Sequence, residues 1–133
     1  MKNFVIPVDI YDKDVMVHIG CTDTLIDEVG KLDISDKEYS TVMDEIKSID
    51  GFGYTISIDN GATIIYIDNV ISIERTMYVA IHECYHAANA IMRSIGVYPS
   101  LANEECFAYL QEYLFKQIMD KLNYGIHVNH KNS

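Results

Sequence analysis

Paired cysteines and long apolar runs are both missing from this sequence. Its three cysteines, Cys21, Cys84 and Cys106, are an odd number without paired spacing, so we expect reduced residues of the core and no disulfide framework. The longest apolar runs are too short to span a bilayer. Proline and aspartate interrupt the short apolar patch near the start, so we expect that this patch is not a signal peptide. These absences predict a cytoplasmic protein with no membrane partner.

Basic residues are also scarce. Ten Lys and Arg stand against twenty Asp and Glu, and the whole excess lies in residues 1–74, which hold fifteen acidic and five basic side chains. An acidic surface repels phosphate backbones, so we expect no nucleic-acid partner. The acidic half is either a solvated face or a surface that mimics DNA or binds a basic partner.

What the sequence does have is enough apolar material for one α+β domain. It has 133 residues, of which 49% are hydrophobic, and we find no internal repeat, low-complexity tract or linker. We predict a single domain over residues 1–133 with a small antiparallel or mixed sheet. An acidic α/β half spans 1–72, two helices span about 73–122, and a frayed tail at 123–133 holds His127 and His130.

The acidic half shows two hairpins around two helices. Strands at 4–11 and 15–19 are joined by a turn at residues 12–14, and a second pair at 54–59 and 62–68 flanks Asn60-Gly61, which favours a type I′ turn. We predict that the strand with Pro7 is an edge strand or carries a bulge, since proline cannot donate to a ladder. His18 is predicted to be a surface residue of its strand.

Capping signals predict the intervening helices. Thr22 or Asp23 begins a short helix that extends to Lys31, and Ser35 with Glu38 has the spacing of a capping box.

A longer helix begins after Ser72 and ends before Gly96, and a last one is capped by Ser100 or Asn103. Apolar positions at helical period predict the buried stripes of both. These are Met77, Ile81, Cys84, Ala88, Ile91 and Ile95 on the first, and Phe107, Leu110, Leu114 and Ile118 on the second.

The strongest chemical signal is the segment His82-Glu83-Cys84-Tyr85-His86, which matches the HExxH pattern of zinc hydrolases. On a helix His82 and His86 lie one above the other, so both imidazoles can point at one ion. Glu83 is turned by about 100° from His82. Its carboxylate can therefore take a proton from water and pass it to a leaving amine. The alternative is that both histidines are surface residues at helical spacing by coincidence.

Zinc needs a third protein ligand, with a fourth position left for water. The metzincin extension is absent after His86, and the next acidic residues are Glu104 and Glu105, which open the segment 103–109. Here the chain resembles the gluzincins, and more closely the small zinc metallopeptidases of tailed phages and mobile elements. In those proteins a β-rich half leads into an HExxH helix, and a second helix carries Glu-x-x-Ala, as at Glu105 to Ala108. The resemblance covers roughly residues 53–120.

This resemblance implies a zincin-like pair of C-terminal helices in which His82, His86 and Glu105 bind Zn²⁺. Glu105 is assigned because it occupies the Glu-x-x-Ala position. Glu104 is an alternative because it is adjacent, and Glu112 is another because it lies closer to the level of His86 in an ideal antiparallel helix pair.

Two further residues on the same faces are candidates for supporting roles. Amide hydrolysis builds negative charge on the former carbonyl oxygen, and Tyr109, one turn after Glu105, is the candidate catalytic residue that stabilises it. The alternative for Tyr109 is an ordinary packed aromatic. Asn89 either orients a metal ligand or is solvated.

The sequence therefore predicts a zinc-dependent peptidase with Glu83 as general base and a peptide or protein as substrate. The cleft is expected between strand 62–68 and the two helices, with the substrate added as an extra strand. One rival is a catalytically silent zinc-containing binding or host-interaction protein on the same scaffold. Another is a metal-free helical packing protein in which HExxH is coincidental.

Overall fold

The computed structural model describes residues 1–58 and 62–123. The strands are β1 Lys2–Val8, β2 Lys13–Gly20, β3 Gly53–Ser57 and β4 Thr63–Asp68, and a 3-10 turn, Asp9–Tyr11, follows β1. The helices are α1 Thr22–Val29, α2 Asp36–Lys47, α3 Ile73–Ser94 and α4 Glu104–Leu122. The predicted α+β class is confirmed: a four-stranded mixed sheet is followed by two packed C-terminal helices. The Asn60-Gly61 turn and the tail with His127 and His130 lie outside the described residues.

The sheet has the strand order β1-β2-β4-β3. β1 is antiparallel to β2, β2 is parallel to β4, and β4 is antiparallel to β3. A parallel pair needs a long crossover, which here includes α1 and α2. β1 is an edge strand, so the prediction for Pro7 is confirmed. β4 is paired on both sides, which overturns the prediction that strand 62–68 borders a cleft and accepts an extra strand.

Two hydrophobic clusters cover the two faces of the sheet because side chains alternate along each strand. In β4, Ile64 and Tyr66 pack with residues of α1 and α2, whereas Ile65 and Ile67 pack with residues of α3 and α4. The acidic half thus contributes a helical layer on one face. The two C-terminal helices form the layer on the other face.

The bounds of α3 agree with the capping signals. Ser72 Oγ accepts a hydrogen bond of 3.1 Å from the backbone N–H of Arg75. At the other end, Gly96 has φ +82°, a left-handed conformation that favours glycine and ends the helix.

The predicted buried stripe of α3 is correct only in its central part. Cys84, Ala88 and Ile91 are buried, whereas the residues Met77, Ile81 and Ile95 are 38%, 46% and 42% exposed. The buried residues of α3 run from Thr76 to Met92, so Ile95 lies beyond its packed length and Met77 lies near its N-terminal end. Ile81 lies at the margin of the buried face. All four predicted core residues of α4 are buried: Phe107, Leu110, Leu114 and Ile118.

Two other local predictions need correction. Cys21 occupies the N-cap position of α1, one residue before Thr22 and two before Asp23, the two predicted caps. Cys21 and Cys106 are exposed, so the core prediction is wrong for both, although all three cysteines are free. In the described ranges no helix is long and apolar enough to cross a membrane.

The cap of α4 also differs from expectation. Asn103 occupies the N-cap position without a side-chain cap bond, and its Oδ1 accepts instead from the N–H of Ser100 at 2.8 Å.

His18 is fully buried, so its prediction as a surface residue is wrong. Its Nδ1 lies 2.9 Å from Asn3 Oδ1, its Nε2 lies 2.8 Å from Thr24 Oγ1, and its ring stacks on Tyr66. β2 is an inner strand with a helical layer on each face, which leaves no exposed side for its residues 17–20. Burial lowers the pKa of His18, and the negative charge of Glu28 acts in the opposite direction.

This buried imidazole predicts a fall in stability below about pH 6.5. Above the ordinary histidine pKa of 6.5 the ring is neutral in the folded and unfolded chains. As the pH falls, the unfolded chain binds a proton before the folded chain does, so the free energy of unfolding decreases. Urea unfolding at pH 5, 6, 7 and 8 measures this, and His18→Gln should reduce the slope between pH 7 and 5. An unchanged slope in that variant would contradict the prediction.

Candidate functional site

The two histidines of the HExxH segment meet on the outer side of α3. Both are exposed, and His82 Nε2 lies 3.2 Å from His86 Nε2, with the rings at 73°. Two nitrogens bound to one tetrahedral zinc at 2.0–2.1 Å lie about 3.3–3.4 Å apart. The observed spacing is close to that separation, so the imidazole pair fits two corners of a zinc coordination sphere.

Glu83 lies between α3 and the sheet, beside the histidine pair. It is 6% exposed, and its Oε1 accepts a hydrogen bond of 2.8 Å from Thr55 Oγ1 on β3. The Thr55 hydroxyl also lies 3.2 Å from the backbone oxygen of Glu83. The carboxylate is thus held from one side, with its other oxygen, Oε2, toward Gly53. A Cβ added to Gly53 would clash with the side chain of Val79 and would lie 3.1 Å from Glu83 Oε2, so glycine permits this close approach.

β3 presents free backbone groups to this cleft. The N–H of Ile58 donates to Ala62 and the carbonyl of Phe52 accepts from Asp68, so the even-numbered residues pair with β4. Backbone groups alternate along an antiparallel strand, which turns those of Gly53, Thr55 and Ser57 away from β4. No strand of the described residues lies beyond β3. β3 is therefore the edge strand that can accept an extended peptide at this cleft, whereas the other edge strand, β1, does not line it.

A cavity of about 490 Å³ joins these features. β3 supplies one wall through Gly53, Tyr54, Thr55 and Ser57, and α3 supplies the other through His82, Glu83, His86, Asn89, Ala90 and Arg93. The predicted histidines and general base are thus brought together in one cleft.

Asn89 and Cys84 flank the histidines in different ways. Asn89 Oδ1 is buried in the cleft wall and, in the described part of the chain, accepts no hydrogen bond. Simple solvation therefore does not describe this oxygen, and the role of Asn89 in orienting a metal ligand stays a prediction. Cys84 faces the core, and burial raises the pKa of its thiol to about 12, so it does not offer a thiolate to the cleft.

The structure does not bring the predicted third ligand to the histidine pair. In the described ranges, no three His, Cys, Asp or Glu side chains form a group that could hold a metal ion. Glu104, Glu105 and Glu112 are all exposed on α4. Gln111 Nε2 donates to the carbonyl of Ile81 at 3.1 Å, which identifies the side of α4 nearest the His82 turn.

Helical rotation orders the three glutamates relative to that side. Glu104 lies about 20° from Gln111, whereas Glu105 and Glu112 lie about 120° and 100° from it. Glu104 is therefore a stronger rival to Glu105 than the sequence pattern suggested. The assignment of Glu105 stays a prediction.

Tyr109 lies in a different cavity from the HExxH residues. It is 66% exposed and lines an apolar cavity of about 360 Å³ with Val8, Ile10, Tyr11 and Tyr113, among others. Helical rotation places it on the side of α4 opposite Gln111. The catalytic role predicted for Tyr109 stays a prediction that the arrangement of the cleft does not support.

Three cleft residues of β3 were not identified from the sequence. Thr55 holds Glu83, and Gly53 allows the close approach of α3. Tyr54 lines the cleft, and burial, together with the charges of Glu45 and Glu83, raises the pKa of its phenol, which keeps it a hydrogen-bond donor. The strand pattern of the sequence indicated that Gly53, Thr55 and Ser57 share one face of β3. It did not indicate that α3 packs on that face.

Three comparisons of this chain with known proteins gave the same result. No family model, no curated protein and no solved structure matches this chain.

Proposed function

We propose that this protein is a zinc-dependent hydrolase that cleaves peptide bonds in the cleft between α3 and β3. The observation that carries the proposal is the 3.2 Å separation of His82 Nε2 and His86 Nε2 beside the carboxylate of Glu83. This combination supplies two zinc ligands and a proton acceptor in one cavity. Chance placement of two surface histidines would not require a buried carboxylate beside them.

Bound zinc would supply Lewis acidity, polarising the substrate carbonyl and lowering the pKa of its water toward about 7. His82 and His86 would hold it through their Nε2 atoms. The third ligand is predicted to be Glu105, with Glu104 and Glu112 as alternatives.

Glu83 is placed to move the proton in this reaction. Its Oε2 would accept the proton of the attacking water and deliver it to the leaving nitrogen of the peptide. Thr55 would hold Oε1, so that the carboxylate keeps one orientation during both transfers. Low exposure of the Glu83 side chain strengthens its electrostatic interactions within the cleft.

The edge of β3 supports a peptide as the substrate. Backbone groups of Gly53, Thr55 and Ser57 face the cleft and would pair with an extended chain, as in other cases of strand addition. Main-chain pairing aligns the scissile carbonyl without reading side chains. Such pairing would bring the bond to be cleaved beside the histidine pair.

A second candidate is a catalytically silent zinc-containing binding or host-interaction protein. The hydrogen bond from Thr55 to Glu83 favours it, since a carboxylate engaged in this way also serves to anchor α3 on β3. The two candidates differ in whether Glu83 is needed for turnover or only for stability.

Metal content in a series of glutamate variants tests the proposal. We expect one zinc per chain after purification without chelators, and loss of that zinc in Glu105→Ala. Glu104→Ala and Glu112→Ala are expected to retain it. Elemental analysis of the four proteins measures this. Loss in Glu104→Ala or Glu112→Ala alone would move the third ligand there, and a wild-type protein without zinc would overturn the proposed function.

A further inference from the structure

Both arginines of the chain line a groove beside the histidine pair. Arg93 lines the cavity of about 490 Å³ described above, and Arg75 lines an adjoining cavity of about 310 Å³. The two cavities share Gly53, His82 and Glu83, and together we call them the groove. The sequence contains no other arginine.

Neither guanidinium has an internal counter-ion in the described part of the chain. The ion pairs found there are formed by Lys31 and Lys116, both outside the groove. This is unexpected in a chain with twenty acidic and ten basic residues, where carboxylates are abundant. Arginine forms planar, two-pronged hydrogen bonds with carboxylates. Arg75 and Arg93 keep this capacity available to a ligand.

Aromatic rings hold both arginines at the ends of the groove. Arg75 lies over the ring of Phe52 at 5.3 Å, and Arg93 lies over the ring of Tyr98 at 5.5 Å. A ring face attracts a guanidinium and restricts its motion without neutralising its charge. The two charges are therefore kept at defined places.

The spacing of the arginines is symmetric about the histidine pair. Arg75 precedes His82 by seven residues, and Arg93 follows His86 by seven residues, which is two helical turns in each direction. Two turns correspond to about 10.5 Å along the helix. An extended peptide advances about 3.3 Å per residue. Each arginine thus lies about three peptide residues from the nearer histidine of the pair.

The direction of β3 fixes which end of a peptide each arginine would meet. Gly53 lies against Val79 and Glu83, whereas Ser57 lines cavities with Arg93, so β3 and α3 run the same way. A peptide added antiparallel to β3 would have its N-terminal part near Arg93. Its C-terminal part would lie near Arg75.

We propose that the groove binds acidic peptides, with Arg93 reading a carboxylate N-terminal to the central bond and Arg75 reading one C-terminal to it. The position of that bond rests on the proposed function, whereas carboxylate recognition does not require hydrolysis. The carboxylate of Glu83 occupies the centre and disfavours an acidic residue there. At the Arg75 end, an acidic side chain and a terminal α-carboxylate offer the same chemistry.

Peptide binding to the zinc-loaded Glu83→Gln protein tests this, because that variant cannot consume the probe. The probe is a blocked nine-residue peptide of alanine and serine with a central tryptophan and glutamate at its second and eighth positions. The protein has no tryptophan, so the anisotropy of the probe reports binding directly. Matched probes carry glutamine at the second, eighth or both positions. A further probe has glutamine at the eighth position and a free C-terminus.

At low ionic strength we expect the doubly acidic probe to bind about tenfold more tightly than the doubly neutral one. Arg93→Gln should remove the preference at the second position only, and Arg75→Gln the preference at the eighth position only. Lys116→Gln on α4 should change neither. Salt should weaken the preference, as for exposed charges. The probe with glutamine at the eighth position and a free C-terminus distinguishes the two carboxylates. If it binds as tightly as the doubly acidic probe, and Arg75→Gln abolishes this gain, the ligand of Arg75 is the α-carboxylate.

Equal affinity for the acidic and neutral probes, or a preference that survives both arginine variants, would overturn the proposal. Exchange of the two positions between the arginines would overturn the antiparallel placement. The preferences found in a protein that hydrolyses no peptide would support this inference and contradict the proposed function. Peptide hydrolysis by a protein without these preferences would support the proposed function and contradict this inference.

Discussion

Glu83→Gln is expected to retain stoichiometric zinc and to lower kcat by about 10²- to 10⁴-fold, the range attributed to a general base. Glutamine has the shape of glutamate, and its amide oxygen can still accept the hydrogen bond from Thr55. It cannot accept the proton of an attacking water. The measurement is the rate of peptide cleavage under saturating substrate, with zinc content determined on the same preparation.

Glu74→Gln is the matched control for this variant. Glu74 lies in the first turn of the same helix, is exposed and accepts a hydrogen bond from the Tyr78 hydroxyl at 3.0 Å. The same chemical change at that place should leave kcat unaltered. Turnover retained in Glu83→Gln would remove the general-base role and favour the silent binding protein.

His82→Ala and His86→Ala are expected to abolish stoichiometric zinc binding and, with it, hydrolysis. Each change removes one direct ligand, so the loss of zinc affinity should exceed the roughly 10- to 100-fold that removal of an outer-shell partner causes. Both side chains are exposed, so the metal-free proteins should differ in stability by no more than about 0.5 kcal/mol. Zinc titration followed by calorimetry measures the first effect, and urea unfolding the second.

Zinc should also raise the Tm of the wild-type protein, since a ligand that binds the folded chain stabilises it. The histidine variants should show no such rise. A double variant, His127→Ala with His130→Ala, controls for histidine content and should bind zinc as the wild type does. Zinc retained by His82→Ala and lost by the tail variant would contradict the site on α3.

Features that depend on residues within one or two turns could be predicted from the sequence. Ser35 and Glu38 form the capping box at the start of α2, and Ser72 caps α3. The placement of His82 and His86 on one helical face belongs to the same group. In each case the partners are three or four residues apart, so the backbone alone brings them together.

Features that depend on sheet order could not be predicted in the same way. His18 is buried because β2 is an inner strand, and β3 borders the cleft because β4 is paired on both sides. Alternation along a strand indicates which residues share a face. It does not indicate which strand is outermost or which helix covers the face, because those depend on pairing between distant segments.

The sequence by itself determined that two imidazoles and a carboxylate lie on adjacent faces of one helix, since a helix repeats every 3.6 residues whatever surrounds it. Only the tertiary structure decided that Thr55 holds Glu83, that the edge of β3 faces the histidines, and that both arginines border their groove. The position of the three glutamates of α4 relative to the histidines also depends on the tertiary structure. Their reach toward His82 depends on how two helices cross, and side chains far apart in the chain set that angle.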